Sequence, residues 1–318
     1  MTIPFDDLPL HAQAERMRRL ADLGYTDVWS AEADATDGFT PLALASVWAP
    51  TLRLGTAIVP AYTRGPVTLL QQVATMAAAA PGRFVFGVGT SSDVIVNRWN
   101  GLDFDEPYRR VRDTVRFLRE GLTGSKTDVD ATGFSSHGYR LKVPVPDPAV
   151  PIFVAALREG MLRLAGREGD GAIVNWLSPA DAARVAPIVH AAAPAGAVRE
   201  VAARVFVAPT TDRELVHRYG RLAIAAYLNV PVYAAFHEWM GRGEMLGPMW
   251  AAWKAGDRSA ALEAIPDEVV DDLIVWGPPE RCRERIGEYV AAGVTCPVIA
   301  LLPFGIDVDT ALDDLAPR

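Results

Sequence analysis

Polar side chains directly follow two short apolar segments of the chain, where they could contact a ligand. Glu32 follows the segment Asp27–Ser30, and Thr90 and Ser91 follow the segment Phe84–Val88. Segments this short and apolar are typical of parallel strands that are buried on both faces. Ligands of α/β sheets and barrels bind where the strands finish, so these side chains are candidates for a binding or catalytic site.

Glu32 carries the most versatile chemistry of these candidates. A carboxylate at a strand end can act as a general acid, as a general base or as an acceptor that orients another group. The alternative is a solvated loop acid, and position alone favours neither interpretation. Thr90 and Ser91 offer hydroxyls and amides to a ligand, although the glycines before them lack the third glycine of a dinucleotide fingerprint.

A further candidate is the turn after a third apolar segment, Ile152–Ala155. Small residues end this segment, and Arg158 and Gly160 precede a helix that we expect to start near Met161. Backbone amides at a helix N-terminus bind anions, and an arginine adds a two-pronged donor. The turn therefore predicts a phosphate site, and the alternative is an ordinary helix start with a solvated arginine.

The chain lacks the residue patterns of several other kinds of site. Its histidines do not pair at metal-ligand spacing, and there is no HExxH, GxSxG or Walker lysine motif. Metal-dependent, acyl-transfer and nucleotide-hydrolysis functions therefore lack support, and we expect no metal. Strand-end anion sites without an internal nucleophile indicate that a bound organic cofactor supplies the reactive step.

Composition excludes further classes of function. Of the 318 residues, 50% are hydrophobic and 22% are charged, which is typical of a globular protein with a large core. The net charge of −8 argues against nucleic-acid binding, which needs a basic face. No apolar run is long enough for a membrane span and we see no secretory signal, so we expect a cytoplasmic protein. The two cysteines, Cys282 and Cys296, are interpreted as reduced structural thiols.

Short apolar strands alternate with amphipathic helices along most of the chain, which predicts an α/β fold. Eight strands separated by helices favour a (β/α)8 TIM barrel, with an open doubly wound sheet as the alternative. The predicted strands are Thr2–Phe5, Asp27–Ser30, Leu54–Ile58, Phe84–Val88, Ile152–Ala155, Ala172–Asn175, Arg204–Ala208 and Pro297–Leu301.

Two regions interrupt this alternation and are predicted to be insertions within a single domain of residues 1–318. Residues 126–148 are rich in Gly, Ser, Asp and Pro, which suggests a small hairpin. Residues 213–272 are predicted to be mostly helical and contain several Trp and Met residues. Such residues on helices are more often core or subunit contacts than cofactor sites.

Five segments of the chain resemble the bacterial luciferase-like family, and specifically its coenzyme F420-dependent oxidoreductases. The matching segments are LADLGYTDVWSAE (20–32), LRLGTAIVP (52–60), PGRFVFGVGTSS (81–92), YRRVRDTVRFLREGL (108–122) and VPIFVAALREGMLRLAGREGDGAIVNW (150–176). Members of this family are (β/α)8 barrels that bind a flavin or deazaflavin at the carboxyl ends of the strands. The resemblance therefore implies the same fold and the same end of the barrel for the site.

The resemblance also assigns roles to individual residues. A non-prolyl cis peptide bond is implied at Ala57–Ile58, with Ile58 behind the cofactor ring, and Pro60 stands where relatives often carry Thr. Glu32 falls on the family's acidic or polar position, and Thr90 and Ser91 on its ring-contacting turn. The phosphate-binding turn matches Ala155, Ala156, Leu157, Arg158, Gly160 and Met161.

The function implied is an F420-dependent oxidoreductase that transfers a hydride between the deazaflavin and a small organic substrate. Two alternatives remain open, namely an FMN-dependent luciferase-like monooxygenase and a barrel that binds the cofactor without turnover. Arg64, Arg98 and Arg158 are candidates to meet the cofactor's polyglutamate tail. Because dimers are common in the family, we also expect a homodimer.

Overall fold

A nearly closed barrel of eight parallel strands forms the centre of the protein in the computed structural model, which describes residues 1–317. The barrel strands are β1 (Thr2–Ile3), β2 (Asp27–Ser30), β3 (Arg53–Thr56), β5 (Phe84–Gly89), β8 (Ile152–Ala155), β9 (Gly171–Asn175), β10 (Glu200–Ala208) and β12 (Cys296–Leu301). They pair in this order, and β12 returns to lie beside β1. The predicted (β/α)8 fold is therefore confirmed.

Helices surround the barrel, and many begin with proline in the first turn, where its missing N–H costs nothing. They are α1 (Ala14–Asp22), α2 (Thr40–Trp48), α3 (Pro66–Ala79), α4 (Pro107–Gly121), α5 (Glu159–Glu168), α6 (Pro179–Ala192), α7 (Arg213–Leu228), α8 (Pro231–Trp239), α9 (Gly243–Lys254), α10 (Arg258–Glu263), α11 (Asp267–Leu273), α12 (Pro279–Ala291) and α13 (Val308–Asp314). Among residues 1–317, no helix has the length and apolar character needed to cross a membrane.

A tryptophan fills the barrel interior below the strand ends. The Trp29 ring lies directly against Gly55, because a Cβ at that glycine would stand 2.2 Å from the ring. Trp29 also packs on Phe153, with ring centroids 5.9 Å apart. The amino-terminal end of the barrel is tied by Arg53, which pairs with Asp27 and donates to Glu200 at 2.7 and 2.9 Å. The opposite end is thus left as the open mouth.

Four short strands lie outside the predicted set of eight. The first insertion is a hairpin of β6 (Lys126–Ala131) and β7 (Phe134–Arg140), which agrees with the suggested hairpin. β4 (Val59–Pro60) pairs with β5 directly after the break in β3. β11 (Ile274–Trp276) follows the five helices α7–α11 and pairs with the end of β10. Three apolar residues after a helix carry no detectable alternation, so the sequence did not predict this strand.

The second insertion buries most of its aromatic and methionine residues within the chain. Met249 is buried, and Met245, Trp250 and Trp253 pack partly buried against the same apolar cluster. The indole of Trp250 donates to the carbonyl of Leu228 at 2.9 Å. These contacts favour the core interpretation of the tryptophan-rich helices. The single-domain range 1–318 stays a prediction, and its last residue, Arg318, lies outside the described residues.

Candidate active site

The backbone breaks out of the barrel directly after β3. The Ala57–Ile58 peptide bond is cis, as the resemblance implies. Ala57 N donates to Ser30 O at 2.6 Å, and Glu32 N donates to Ile58 O at 3.1 Å, so the bulge is fastened to the end of β2 on both sides. Ile58 is therefore held at the carboxyl ends of the strands, where the fold places its ligands.

The side chain of Ile58 lies over a wall of small residues. A Cβ added at Gly89 would stand 2.8 Å from the Cβ of Ala155 and 3.1 Å from two carbons of Ile58. Glycine at position 89 therefore allows the bulge and the strand to approach each other. Pro60 is buried, pairs in register with Gly89 and has no hydroxyl to offer. Together these residues form an apolar surface beside which a flat ring could lie.

Thr90 and Ser91 extend this surface with polar groups. Both are half-buried, and the Thr90 hydroxyl donates to the Ser91 carbonyl at 3.2 Å. Ser91 adopts a left-handed backbone conformation with φ of 62°. Non-glycine residues in this region are uncommon and cluster at ligand sites. The structure thus places both hydroxyl residues at the mouth, next to the Ile58 bulge.

Glu32 is held by an arginine. Its carboxylate accepts from Arg64 through both oxygens, at 2.5 and 2.6 Å, and also accepts from Gly38 N at 3.0 Å. The two side chains are 16% and 15% exposed, so the pair is largely shielded from water. A carboxylate in a bidentate ion pair with arginine acts as a hydrogen-bond acceptor. The geometry favours the orienting role of Glu32 over that of a proton donor.

The predicted phosphate turn leads into a helix that begins at Glu159, two residues before the expected start. Arg158 is the residue before the helix, and no side chain caps the free amides of the first turn. Gly160 is exposed, with open space around its Cα, and Arg158 is exposed. The carboxylate of Glu159 is engaged by Arg163. The turn therefore offers free donors and one cation to an anion.

The remaining members of this turn contribute shape. Ala155 is half-buried and contacts the Gly89 wall, and Ala156 is buried with 3% exposure. Leu157 and Met161 are half-buried and pack against the main core. The sequence-predicted residues thus form two groups at the mouth, one around Ile58 and one at the start of α5.

A third group at the mouth was missed by the sequence analysis. Asn175 ends β9, and Arg204 is its register partner on β10. Asn175 Nδ2 donates to the hydroxyl of Tyr233 on α8 at 3.1 Å, and its Oδ1 accepts from Trp176 N at 3.0 Å. The guanidinium of Arg204 lies over the ring of Phe206, 4.9 Å from its centroid. An arginine inside the apolar strand segment VAARVFVA was the available signal.

Arg204 also faces a small internal cavity. Three buried polar atoms without a hydrogen-bond partner belong to residues that line it, namely Thr2 Oγ1, Trp29 Nε1 and Arg204 Nε. The cavity has a volume of about 10 Å³, which is room for about one water molecule. Ala57, beside the cis bond, lines it too. The cavity therefore connects the arginine with the floor of the Ile58 bulge.

Titration of buried groups near the mouth follows from desolvation. Burial raises the pKa of Tyr233 to about 12, so its hydroxyl keeps the proton at neutral pH. Burial lowers the pKa of His237 to about 3, so this imidazole is neutral. Among residues 1–317, no group of three His, Cys, Asp or Glu side chains could hold a metal ion.

The fold is a (β/α)8 barrel whose candidate site lies at the carboxyl ends of the strands. The sequence profile of the luciferase-like monooxygenase family matches residues 4–296, and the chain belongs to that family. The predicted family is thus confirmed.

Individual relatives agree with this membership. The 5,10-methylenetetrahydromethanopterin reductase of Archaeoglobus fulgidus is 26% identical over 298 residues, covering 90% of this chain and 88% of the relative. The F420-dependent glucose-6-phosphate dehydrogenase of Rhodococcus hoagii is 29% identical over 280 residues, covering 84% and 78%. The solved structure of the coenzyme F420-dependent tetrahydromethanopterin reductase of Methanopyrus kandleri superposes with a TM-score of 0.81 at 22% identity, covering 99% and 96%. That structure supports the fold, and the names of the Rhodococcus dehydrogenase and the Methanopyrus reductase include the predicted cofactor.

Proposed function

We propose that the protein is a coenzyme F420-dependent oxidoreductase that transfers a hydride between the deazaflavin ring and a small organic substrate. The observation that carries this proposal is the packing of Ile58 against the small residues Gly89 and Ala155 at the barrel mouth. Membership of the luciferase-like family, together with a relative that is named as F420-dependent, supports the choice of cofactor.

The residues of the mouth fit a flat ring. Ile58 would support one face, and Gly89 and Ala155 leave the space that larger side chains would fill. Thr90 and Ser91 would offer hydroxyls to the polar edge, and Pro60 would contribute only an apolar surface. When bound, the deazaflavin supplies the carbon that gives or accepts the hydride. The chain's own residues would hold the ring in place.

The cofactor's phosphate is proposed to bind at the start of α5. Arg158 would pair with it, and the free amides of Gly160 and Met161 would donate hydrogen bonds. Ala155, Ala156 and Leu157 would shape the turn without adding charge. Because this phosphate site relies on one exposed arginine, the affinity for the cofactor should fall as ionic strength rises.

Glu32 is proposed to act through Arg64. The carboxylate fixes the direction of the guanidinium, which is then presented at the mouth beside the Ile58 bulge. Arg64, Arg98 and Arg158 remain the candidates for contact with the polyglutamate tail of the cofactor. Glu32 is therefore a positioning residue here, and proton transfer would be carried by another group or by water.

The cofactor assignment can be tested by titration. Purified apoprotein is titrated separately with F420 and FMN, and we expect F420 to bind more tightly. Arg158→Ala should weaken F420 binding by about tenfold, since a charged hydrogen bond contributes about 1.5 kcal/mol or more. Arg218→Ala, on the exposed surface of α7, is the control. Tighter binding of FMN would instead favour the monooxygenase function that the family's description names.

A cofactor-binding barrel without turnover is the other alternative. Oxidation of reduced F420 in the presence of a substrate panel separates it from an oxidoreductase. We also propose that residues 1–318 form one domain, since one apolar cluster contains residues from Met1 to Ala316. A cytoplasmic homodimer is proposed as well, and light scattering that detects only monomer at micromolar concentration would refute the dimer.

A further inference from the structure

Arg204 is a half-buried cation for which the described residues 1–317 provide no carboxylate partner. Other shielded arginines have hydrogen-bond acceptors. Arg53 binds two carboxylates, and Arg110 donates to the carbonyls of Ala61 and Gly133. The guanidinium of Arg204 instead rests on the Phe206 ring, and its Nε is buried without an acceptor. An uncompensated charge in such a position is costly. A ligand that brings a negative charge would remove this cost.

Tyr233 adds a second donor beside Arg204. The amide of Asn175 is fixed in direction, because its Oδ1 accepts from Trp176 N and its Nδ2 must therefore donate to the Tyr233 hydroxyl. That hydroxyl is already an acceptor, so its own hydrogen is left to donate. Arg204 and Asn175 are register partners on adjacent strands, which brings both donors to one place.

The surroundings of these donors have the character of a ligand site. Trp176 adopts a left-handed backbone conformation with φ of 53°, although bulky residues rarely do so. Its ring stacks on Phe206 with centroids 3.9 Å apart, and contacts Tyr227 at 5.2 Å. Strained residues of this kind concentrate at binding sites. Both rings are buried, with 0% exposure for Trp176 and 5% for Phe206, so they support the two donors from behind.

We propose that Arg204 and Tyr233 bind a carboxylate of the substrate, which is therefore a small monoanion. The planar fork of an arginine matches the two oxygens of a carboxylate. One cation matches one negative charge, whereas a phosphate monoester, with nearly two charges, would need a further cation. This inference rests on the proposed function, because it names the substrate class of the same mouth.

The test is calorimetric titration of the F420-loaded protein with benzoate and with benzamide, its neutral isostere. We expect saturable binding of benzoate, with benzamide weaker by at least about tenfold, because a charged hydrogen bond contributes about 1.5–3 kcal/mol. Arg204→Met should reduce benzoate affinity by a similar factor and change F420 affinity little. Tyr233→Phe should reduce benzoate affinity by about threefold to tenfold.

Matched variants complete the design. Arg218→Met removes another arginine that lies over an aromatic ring, that of Tyr219, on an exposed surface, and should change neither affinity. Arg204→Lys keeps the positive charge without the planar fork, and its affinity for benzoate should be intermediate. This variant replaces Arg204→Met in the test if Arg204→Met does not fold.

Two results would overturn the inference. One is equal binding of benzoate and benzamide, and the other is an equal loss of F420 and benzoate affinity in Arg204→Met, which would assign the arginine to the cofactor. Failure of F420 to bind the wild type would refute the proposed function instead, and the benzoate comparison on cofactor-free protein would then decide the carboxylate site.

Discussion

The ion pair between Glu32 and Arg64 predicts a measurable coupling free energy. Four proteins are compared, namely the wild type, Glu32→Gln, Arg64→Met and the double variant. The pair has two hydrogen bonds and is about 15% exposed on each side. It therefore lies between solvated surface pairs, at about 0–1 kcal/mol, and fully buried ones, at about 3–5 kcal/mol for removal of one partner.

We expect a coupling of about 1–3 kcal/mol from urea unfolding of the four proteins. The loss of stability in Glu32→Gln should come mostly from leaving Arg64 unpaired. The double variant should therefore be only slightly less stable than either single variant. The same variants separate the two roles of Glu32. If Glu32 is a positioning residue, Glu32→Gln should weaken F420 binding about as much as Arg64→Met does. It should also leave the pH profile of turnover unchanged. A coupling below about 0.5 kcal/mol would show that the pair is solvated and would refute the reasoning.

Three further predictions concern the barrel and its mouth. Gly55→Ala should destabilise the protein by about 1–3 kcal/mol in urea unfolding, because the added Cβ would meet the Trp29 ring at 2.2 Å; Gly247→Ala, with open space on α9, should be neutral or stabilising, and equal effects of the two would contradict this packing. Gly89→Val should reduce F420 affinity by at least about tenfold in a fluorescence titration, since its side chain would displace Ile58. Unchanged affinity would show that the ring does not bind against Ile58 and Gly89. The folded-state pKa of His237, about 3, lies below the ordinary value of 6.5, so unfolding is favoured as pH falls below 6.5 and the protein should lose about 2 kcal/mol between pH 7.5 and 5 through this group. His237→Leu should remove that loss, and an unchanged pH dependence would show that His237 titrates normally.

The barrel itself could be predicted from the sequence because buried parallel strands are short, apolar and separated by helices. All eight strand positions follow from that alternation, whereas β11 does not, since Ile274–Trp276 acquires its strand geometry only by pairing with β10. The positions of Ile58 and of the turn before α5 came from resemblance to a family. Composition alone would not have located either.

The third group at the mouth depends on information that a single sequence does not contain. Arg204 and Asn175 meet because of the register between β9 and β10. Tyr233 reaches Asn175 from a helix 58 residues further along the chain. The partner of Glu32 is similarly distant, at Arg64. Strand ends can be located from local pattern, but the partners of their side chains are decided by register and helix packing.

A crystal structure of the protein with F420 tests the central claim most directly. We predict the deazaflavin ring against Ile58 and Gly89, its phosphate at Arg158 and the amides of Gly160 and Met161, and Arg204 free to face a substrate. A ring bound away from the Ala57–Ile58 bulge, or a phosphate bound elsewhere than at the start of α5, would contradict the proposed function.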